Sequence, residues 1–245
     1  YHLNFSESLP SLMYFSSSLL YTPLKPIKLI TEISIYTLLF IQELKMQPLI
    51  HLVEELKNSP IKSVIDQRMQ EFSSIPRNFN DLFRELCFCI LTAGTSAELG
   101  IKTINHLRDT IFNGSEKEIQ KKLKEVYRFH TLRANYLSNA RNSFKSIDIN
   151  HPEIRNHLVK NVKGIGMKEA SHFLRNIGFK DYAIVDFHIA DILSEYGLIE
   201  KPKTMTPKKY VEIENVLKEL ANKTNTSLGE LDLYLWYKET GKVLK

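Results

Sequence analysis

Cysteine is scarce in this 245-residue chain, with only Cys87 and Cys89 present. Both lie in the apolar run 86–91, which predicts reduced side chains in a hydrophobic core. Two thiols exclude a disulfide framework and supply too few ligands for a zinc site or a four-cysteine iron–sulfur cluster. We therefore expect no metal and no other cofactor.

Long hydrophobic runs are also missing. The most apolar stretch of the first 45 residues, 33–41, is nine residues long, whereas a membrane span needs about 20 apolar residues. That region also lacks the basic start and small-residue cleavage site of a signal peptide. The sequence therefore predicts an intracellular protein of the cytoplasm or nucleoid, with no membrane partner.

The first 45 residues differ from the rest of the chain. They contain seven serines, three Lys and three Glu, and position 1 is not Met, so the net charge of +5 comes from the remainder. A basic balance is compatible with a polyanionic partner but does not establish one. We predict that Met46 opens the functional domain, 46–245, and that residues 1–45 are an extension or an upstream-translated segment.

Strand-like alternation of polar and apolar residues is almost absent, and from Met46 onward nearly every segment has helical periodicity. Ser115 with Glu118 and Ser227 with Glu230 have capping-box spacing, and the pair 206–207, Thr-Pro, is a cap followed by proline. The pattern predicts an all-α domain of about ten helices.

Two glycines, Gly164 and Gly166, separate a predicted helix over 154–162 from a second over 167–177. Glycine allows close backbone approach, so amide groups at the start of the second helix could face a phosphate, and Lys163 adds a positive charge there. By itself, Gly-x-Gly is more typical of a tight helix–helix turn than of a phosphate site.

Lys168 and Asp186 are the candidate reactive residues. Lys168 falls in the first turn of a helix, where a cation opposes the helix dipole and is a poor structural choice. Asp186 follows the apolar run 182–185 and opens the next helix, which by itself indicates an N-cap.

The order Gly-x-Gly, Lys two residues on, then Val-Asp-x-His resembles the helix-hairpin-helix DNA glycosylase superfamily. More narrowly, Lys-Gly-Ile-Gly-x-Lys-Glu-Ala-Ser-His-Phe-Leu-Arg-Asn, Glu-Leu-Asp-Leu-Tyr-Leu-Trp-Tyr and the final Thr-Gly-Lys-Val-Leu-Lys are similar to the archaeal-type 8-oxoguanine DNA glycosylases. The resemblance covers roughly residues 47–245. It implies a two-lobed, all-α glycosylase fold, and a monomeric DNA N-glycosylase and abasic-site lyase that repairs double-stranded DNA containing 8-oxoguanine.

The resemblance also implies roles for individual residues. Lys168 would attack C1′ of the damaged nucleotide, and Asp186 would stabilise the cationic sugar and help to deprotonate the lysine. Lys163, Gly164 and Gly166 would bind DNA phosphates.

A base pocket is predicted from four further residues. Phe129 and Trp236 would stack on the extruded purine, and Asp232, four residues before Trp236, would accept hydrogen bonds from the guanine edge. The terminal carboxylate of Lys245 would accept the N7 hydrogen that distinguishes 8-oxoguanine from guanine. Other polar residues of this region are expected to be structural (His172, His188) or solvent-exposed (Arg175, Asn176).

Two other functions are compatible with the same motifs. One is a glycosylase for a different lesion, such as an oxidised pyrimidine or an alkylated purine. The other is a non-enzymatic helix-hairpin-helix module that only binds DNA, against which the pair Lys168 and Asp186 argues.

Overall fold

The computed structural model describes residues 26–244, so residues 1–25 and Lys245 lie outside the described part of the chain. Within it the secondary structure is entirely helical, which confirms the all-α prediction. The pattern suggested about ten helices, whereas the described range contains twelve. They are α1 (Pro26–Lys57), α2 (Ile61–Ser73), α3 (Phe79–Thr92), α4 (Ala97–Leu107), α5 (Thr110–Asn113), α6 (Glu116–Lys124), α7 (His130–Phe144), α8 (Ile154–Asn161), α9 (Met167–Asn176), α10 (Phe187–Glu195), α11 (Pro207–Lys223) and α12 (Leu228–Thr240).

The chain divides into two units between Ile41 and Gln42. Of the first unit, the structure describes only residues 26–41, which belong to α1. The second unit contains the rest of α1 and all the other helices. Across residues 26–244, we find no helix with the length and apolar character that crossing a membrane requires.

Two hydrophobic clusters form the core of the second unit. The first draws on helices α3–α9 and includes Phe83, Leu137 and Phe173, each fully buried. The second draws on α1, α2, α10–α12 and the segment before α10, and it includes Met46 and Tyr210. Cys87 and Cys89 are buried in the first cluster, as their apolar surroundings predicted.

Helix starts follow the predicted caps. The Ser115 and Ser227 side chains each accept a hydrogen bond from the backbone N–H three residues on, and Glu118 and Glu230 complete the capping boxes. Thr206 caps α11 ahead of a proline at its first position. Local hydrogen bonding at these ends satisfies amides that helix geometry leaves without partners.

Candidate active site

The predicted hairpin is present as helices α8 and α9, joined by residues 162–166. Gly164 has φ of +89°, a conformation that other residues rarely adopt. A Cβ built on Gly164 would lie 2.5 Å from Cδ2 of Tyr136, a residue of α7. Gly164 is therefore required both by its backbone conformation and by the aromatic ring packed on it.

Gly166 is the N-cap of α9, and its N–H donates to the Glu169 carboxylate at 3.1 Å. To donate a hydrogen bond to a DNA phosphate, this N–H would have to give up its hydrogen bond to Glu169. Lys163 is exposed beside it and is open to solvent.

A cavity of about 670 Å³ lies next to the hairpin, within the range of roughly 300–1,000 Å³ typical of ligand sites. Lys168 lines it from the first turn of α9, and Asp186 lines it from the start of α10. Asp232 and Trp236 line it from α12. The structure thus brings together four of the predicted site residues, which come from three helices.

Asp186 has two structural features at once. Its Oδ1 accepts a hydrogen bond from the N–H of Ile189 at 3.0 Å, which makes it the N-cap of α10. It also lines the cavity. Because a carboxylate has two oxygens and several lone pairs, capping does not exclude a second role.

Asp232 is largely buried, and Nη1 of Arg175 lies 3.5 Å from its Oδ2. Burial raises the pKa of Asp232 to about 6; the positive charges of Arg175 and Lys168 oppose this rise, and the Asp186 charge adds to it. The two carboxylates and the lysine line the same cavity.

The second predicted residue of α12, Trp236, packs edge-on against the His188 ring, with 5.7 Å between the ring centroids. This contact orients the indole at the cavity wall, next to the turn that carries Asp186.

Two predicted pocket residues are not part of this arrangement. Phe129, the N-cap of α7, does not line the cavity; its exposed ring lies 4.2 Å from the Arg128 guanidinium. Lys245 lies outside the described residues, although its neighbour Leu244 lines the cavity.

The family model described as 8-oxoguanine DNA glycosylase matches residues 65–226, more than half of the chain. That range includes both hairpin helices, Lys168 and Asp186. The chain belongs to the 8-oxoguanine DNA glycosylase family. The resemblance found in the hairpin motif is thereby confirmed.

Members of the 8-oxoguanine DNA glycosylase family are similar to this chain over most of their length. The 8-oxoguanine DNA glycosylase/AP lyase of Methanocaldococcus jannaschii is 50% identical over 206 residues, covering 80% of this chain and 99% of that protein. The enzyme of the same description from Aquifex aeolicus is 42% identical, covering 79% and 99%.

Solved structures of the family have the same fold. The M. jannaschii enzyme in complex with a 15mer DNA containing 8-oxoguanine has a TM-score of 0.77 at 48% identity, covering 80% of this chain and 99% of that one. The 8-oxoguanine DNA glycosylase of Thermotoga maritima has a TM-score of 0.76 at 38% identity, covering 82% and 100%.

In this member of the 8-oxoguanine DNA glycosylase family, the expectation that Arg175 and Asn176 are solvent-exposed is wrong. Arg175 is 3% exposed, and its guanidinium lies 4.6 Å from the Phe72 ring centroid and beside Asp232. Asn176 is fully buried and donates to Glu85 at 3.3 Å. Arg175 lies seven residues after Lys168, so helical periodicity alone would have placed both on the cavity side of α9.

Proposed function

We propose that this chain removes 8-oxoguanine from DNA and then cleaves the strand at the abasic site, as a bifunctional N-glycosylase and lyase of base-excision repair. The observation that carries this function is the shared cavity of Lys168 and Asp186 beside the hairpin. The family membership and the DNA complex of the M. jannaschii relative support the choice of substrate.

The nucleotide must leave the duplex and enter the cavity, because C1′ of a stacked nucleotide is hidden from Lys168. The hairpin holds the DNA backbone while this happens. Lys163 and the backbone around Gly164 bind phosphates, a contact that fixes position without reading sequence.

Lys168 acts as the nucleophile. Its neutral Nζ forms a bond to C1′ while the bond from C1′ to N9 of the purine breaks, and the base leaves with the electron pair and takes up a proton. Loss of a proton from the bound amine and opening of the sugar ring give a Schiff base. This intermediate acidifies the C2′ hydrogen, and β-elimination then expels the 3′ phosphate and nicks the strand.

Asp186 supplies negative charge where the sugar becomes cationic, and its carboxylate accepts the proton that Lys168 must lose. Its hydrogen bond to the N–H of Ile189 fixes the carboxylate at the helix start. The cap therefore contributes to the orientation of the catalytic group.

Two residues of α12 recognise the base. Trp236 offers a flat surface for the purine, and ionised Asp232 accepts hydrogen bonds from the N1 and N2 donors of the guanine edge. The protein acts as a monomer on double-stranded DNA inside the cell, at the nucleoid.

A panel of duplexes, each carrying one lesion, tests this function. Single-turnover excision should be fastest for 8-oxoguanine, compared with an oxidised pyrimidine, an alkylated purine and undamaged guanine. Faster excision of another lesion would show that this lesion, and not 8-oxoguanine, is the preferred substrate. Binding to every duplex without excision of any base would identify a DNA-binding module instead.

A further inference from the structure

The segment 183–185 leads directly into Asp186, and side chains of α11 hold its backbone. The N–H of Ala183 donates to Oε1 of Glu214 at 3.2 Å. The Tyr210 hydroxyl donates to the carbonyl of Ala183 at 2.6 Å and accepts from the N–H of Val185 at 3.1 Å. Because this buried segment lies outside regular secondary structure, its polar groups depend on these partners.

Tyr210 also reaches the helix that carries Lys168. Its hydroxyl lies 3.0 Å from Oγ of Ser171, three residues after Lys168 on α9. A phenol has one proton, and the Ala183 carbonyl can only accept, so Ser171 donates to the phenol oxygen. Burial raises the pKa of Tyr210 well above its ordinary value, which keeps that proton in place.

The first hairpin helix meets the same cluster through Arg155. Its Nη2 donates to Oε2 of Glu214 at 2.9 Å, and its Nη1 donates to Oε1. Nη1 also lies 3.4 Å from Oγ of Ser171. Although burial acts to raise it, the pKa of Glu214 is held below its ordinary value by the hydrogen bonds and charge of Arg155. Both hairpin helices and the segment before Asp186 therefore meet at two side chains of α11.

We propose that Tyr210 is a positioning residue that fixes the spacing between Lys168 and Asp186. It is 1% exposed and does not line the cavity, so it cannot touch DNA. One of its hydrogen bonds reaches the Lys168 helix, and another holds the residue directly before Asp186. The inference rests on the proposed roles of these two residues and adds the group that aligns them.

The variant Tyr210→Phe keeps the ring and removes every hydrogen bond of the hydroxyl. We expect the single-turnover rate constant to fall about 10- to 100-fold, both for excision of 8-oxoguanine and for borohydride trapping on an abasic duplex, since small misplacements of reacting groups have effects of this size. The fraction of enzyme that finally reacts, and the affinity for undamaged duplex, should stay at wild-type values. A purely structural role would lower the reacting fraction and leave the rate constant unchanged, and that result would overturn the proposal.

Two comparison variants separate positioning from stability. Ile213→Ala removes a fully buried side chain of α11 and leaves every hydrogen bond to the segment 183–185 in place; it should lower Tm and leave the rate constant unchanged. Ser171→Ala removes the link between Tyr210 and the Lys168 helix, together with the longer contact to Arg155, and should slow the reaction roughly threefold or more; it carries the test if Tyr210→Phe does not fold. Equal slowing by Ile213→Ala would overturn the positioning role.

A double-mutant cycle tests the link to Asp186. If Tyr210 acts by aligning Asp186, then Tyr210→Phe should slow the Asp186→Asn variant much less than it slows the wild type. Fully independent effects would contradict this link. An inactive wild type would overturn the proposed function as well as this inference. If the wild type is active and Lys168→Gln is inactive, but Tyr210→Phe is fully active, only this inference is overturned.

Discussion

Asp232 is the residue whose environment gives the clearest pH dependence. Burial raises its pKa to about 6. Below that pH the carboxyl holds a proton and presents a donor, whereas above it the group is ionised and can only accept. Because the N1 and N2 groups of the guanine edge are donors, only the ionised form matches the proposed base contact.

We therefore predict that single-turnover excision of 8-oxoguanine rises as the pH increases through about 6, and falls about tenfold for each pH unit well below that value. The control variant Asp232→Asn has no group that titrates there, so it should lack this rise. An unchanged acid limb in Asp232→Asn would assign the pH dependence to another group.

Asp186→Asn separates the cap from the charge, since asparagine caps helices about as well as aspartate. The thermal midpoint should stay near the wild-type value, while the excision rate falls about 100- to 1000-fold through the loss of negative charge beside the sugar. Thermal unfolding and single-turnover kinetics on the same preparation measure both effects. Near-normal excision would reduce Asp186 to a structural cap.

Single residues could be assigned to one site from the sequence where chemistry and spacing coincide. Lys168 and Asp186 are 18 positions apart in one motif, and both line the cavity. Arg175 was assigned to solvent because arginine is usually exposed, but the Phe72 ring and Asp232 surround it. Those partners come from α2 and α12, far away in sequence, and no local pattern indicates them.

At the scale of elements, the hairpin makes different demands on its two glycines. Gly164→Ala should destabilise the fold by about 1–3 kcal/mol, because a Cβ would meet Tyr136 and φ is positive. Gly166→Ala is the matched control, since φ there is −100° and the nearest atom is a movable Glu169 carboxylate oxygen at 3.0 Å. It should cost less than about 1 kcal/mol.

Denaturant unfolding and duplex affinity measure this pair of variants. Gly164→Ala should also bind duplex more weakly than Gly166→Ala, because the loop that holds the phosphate is displaced. Equal losses in the two variants would show that the packing of Tyr136 on the hairpin is unimportant.

Helix ends were predictable because capping is local: Ser115, Thr206 and Ser227 each bond within three residues. The role of α11 could not be predicted from the sequence. Tyr210 and Glu214 have the spacing of an ordinary buried face, and their polar atoms acquire a function only through residues 183–185 and Arg155, which tertiary packing brings to them.

At the scale of the whole molecule, the start of the functional domain can be compared with the contacts of α1. We predicted Met46, and the contact units divide between Ile41 and Gln42. Met46 is fully buried, while the contacts made just before it are peripheral: Gln42 donates to Glu219 at 3.1 Å, and Glu43 pairs with Lys223 at 3.0 Å. The half-exposed ion pair contributes about 0–1 kcal/mol, and the hydrogen bond of Gln42 about 1 kcal/mol.

Chains that start at Gln42 or at Met46, each with an added initiating Met where needed, should therefore fold and keep wild-type excision rates. The shorter chain should unfold at a slightly lower temperature. A folded but inactive chain would show that residues before Met46 take part in function.

The cavity as a whole could be predicted only in part. Its α9 and α10 walls follow from one motif, and the residues of α12 followed from the family resemblance. The loop between α3 and α4, including Thr95 and Ser96, also lines the cavity. It lies more than 70 residues before Lys168, and only the packing of the first cluster brings it there.

Borohydride trapping on a duplex containing 8-oxoguanine tests the central claim most directly, because only a Schiff base between the protein and the sugar is reduced to a stable adduct. The wild type should give an adduct that maps to the peptide carrying Lys168. Lys168→Gln should give none while still binding duplex, and Lys160→Gln, at an exposed lysine of α8, should trap like the wild type. An adduct formed by Lys168→Gln at undiminished yield, or mapped to another lysine in the wild type, would contradict the account.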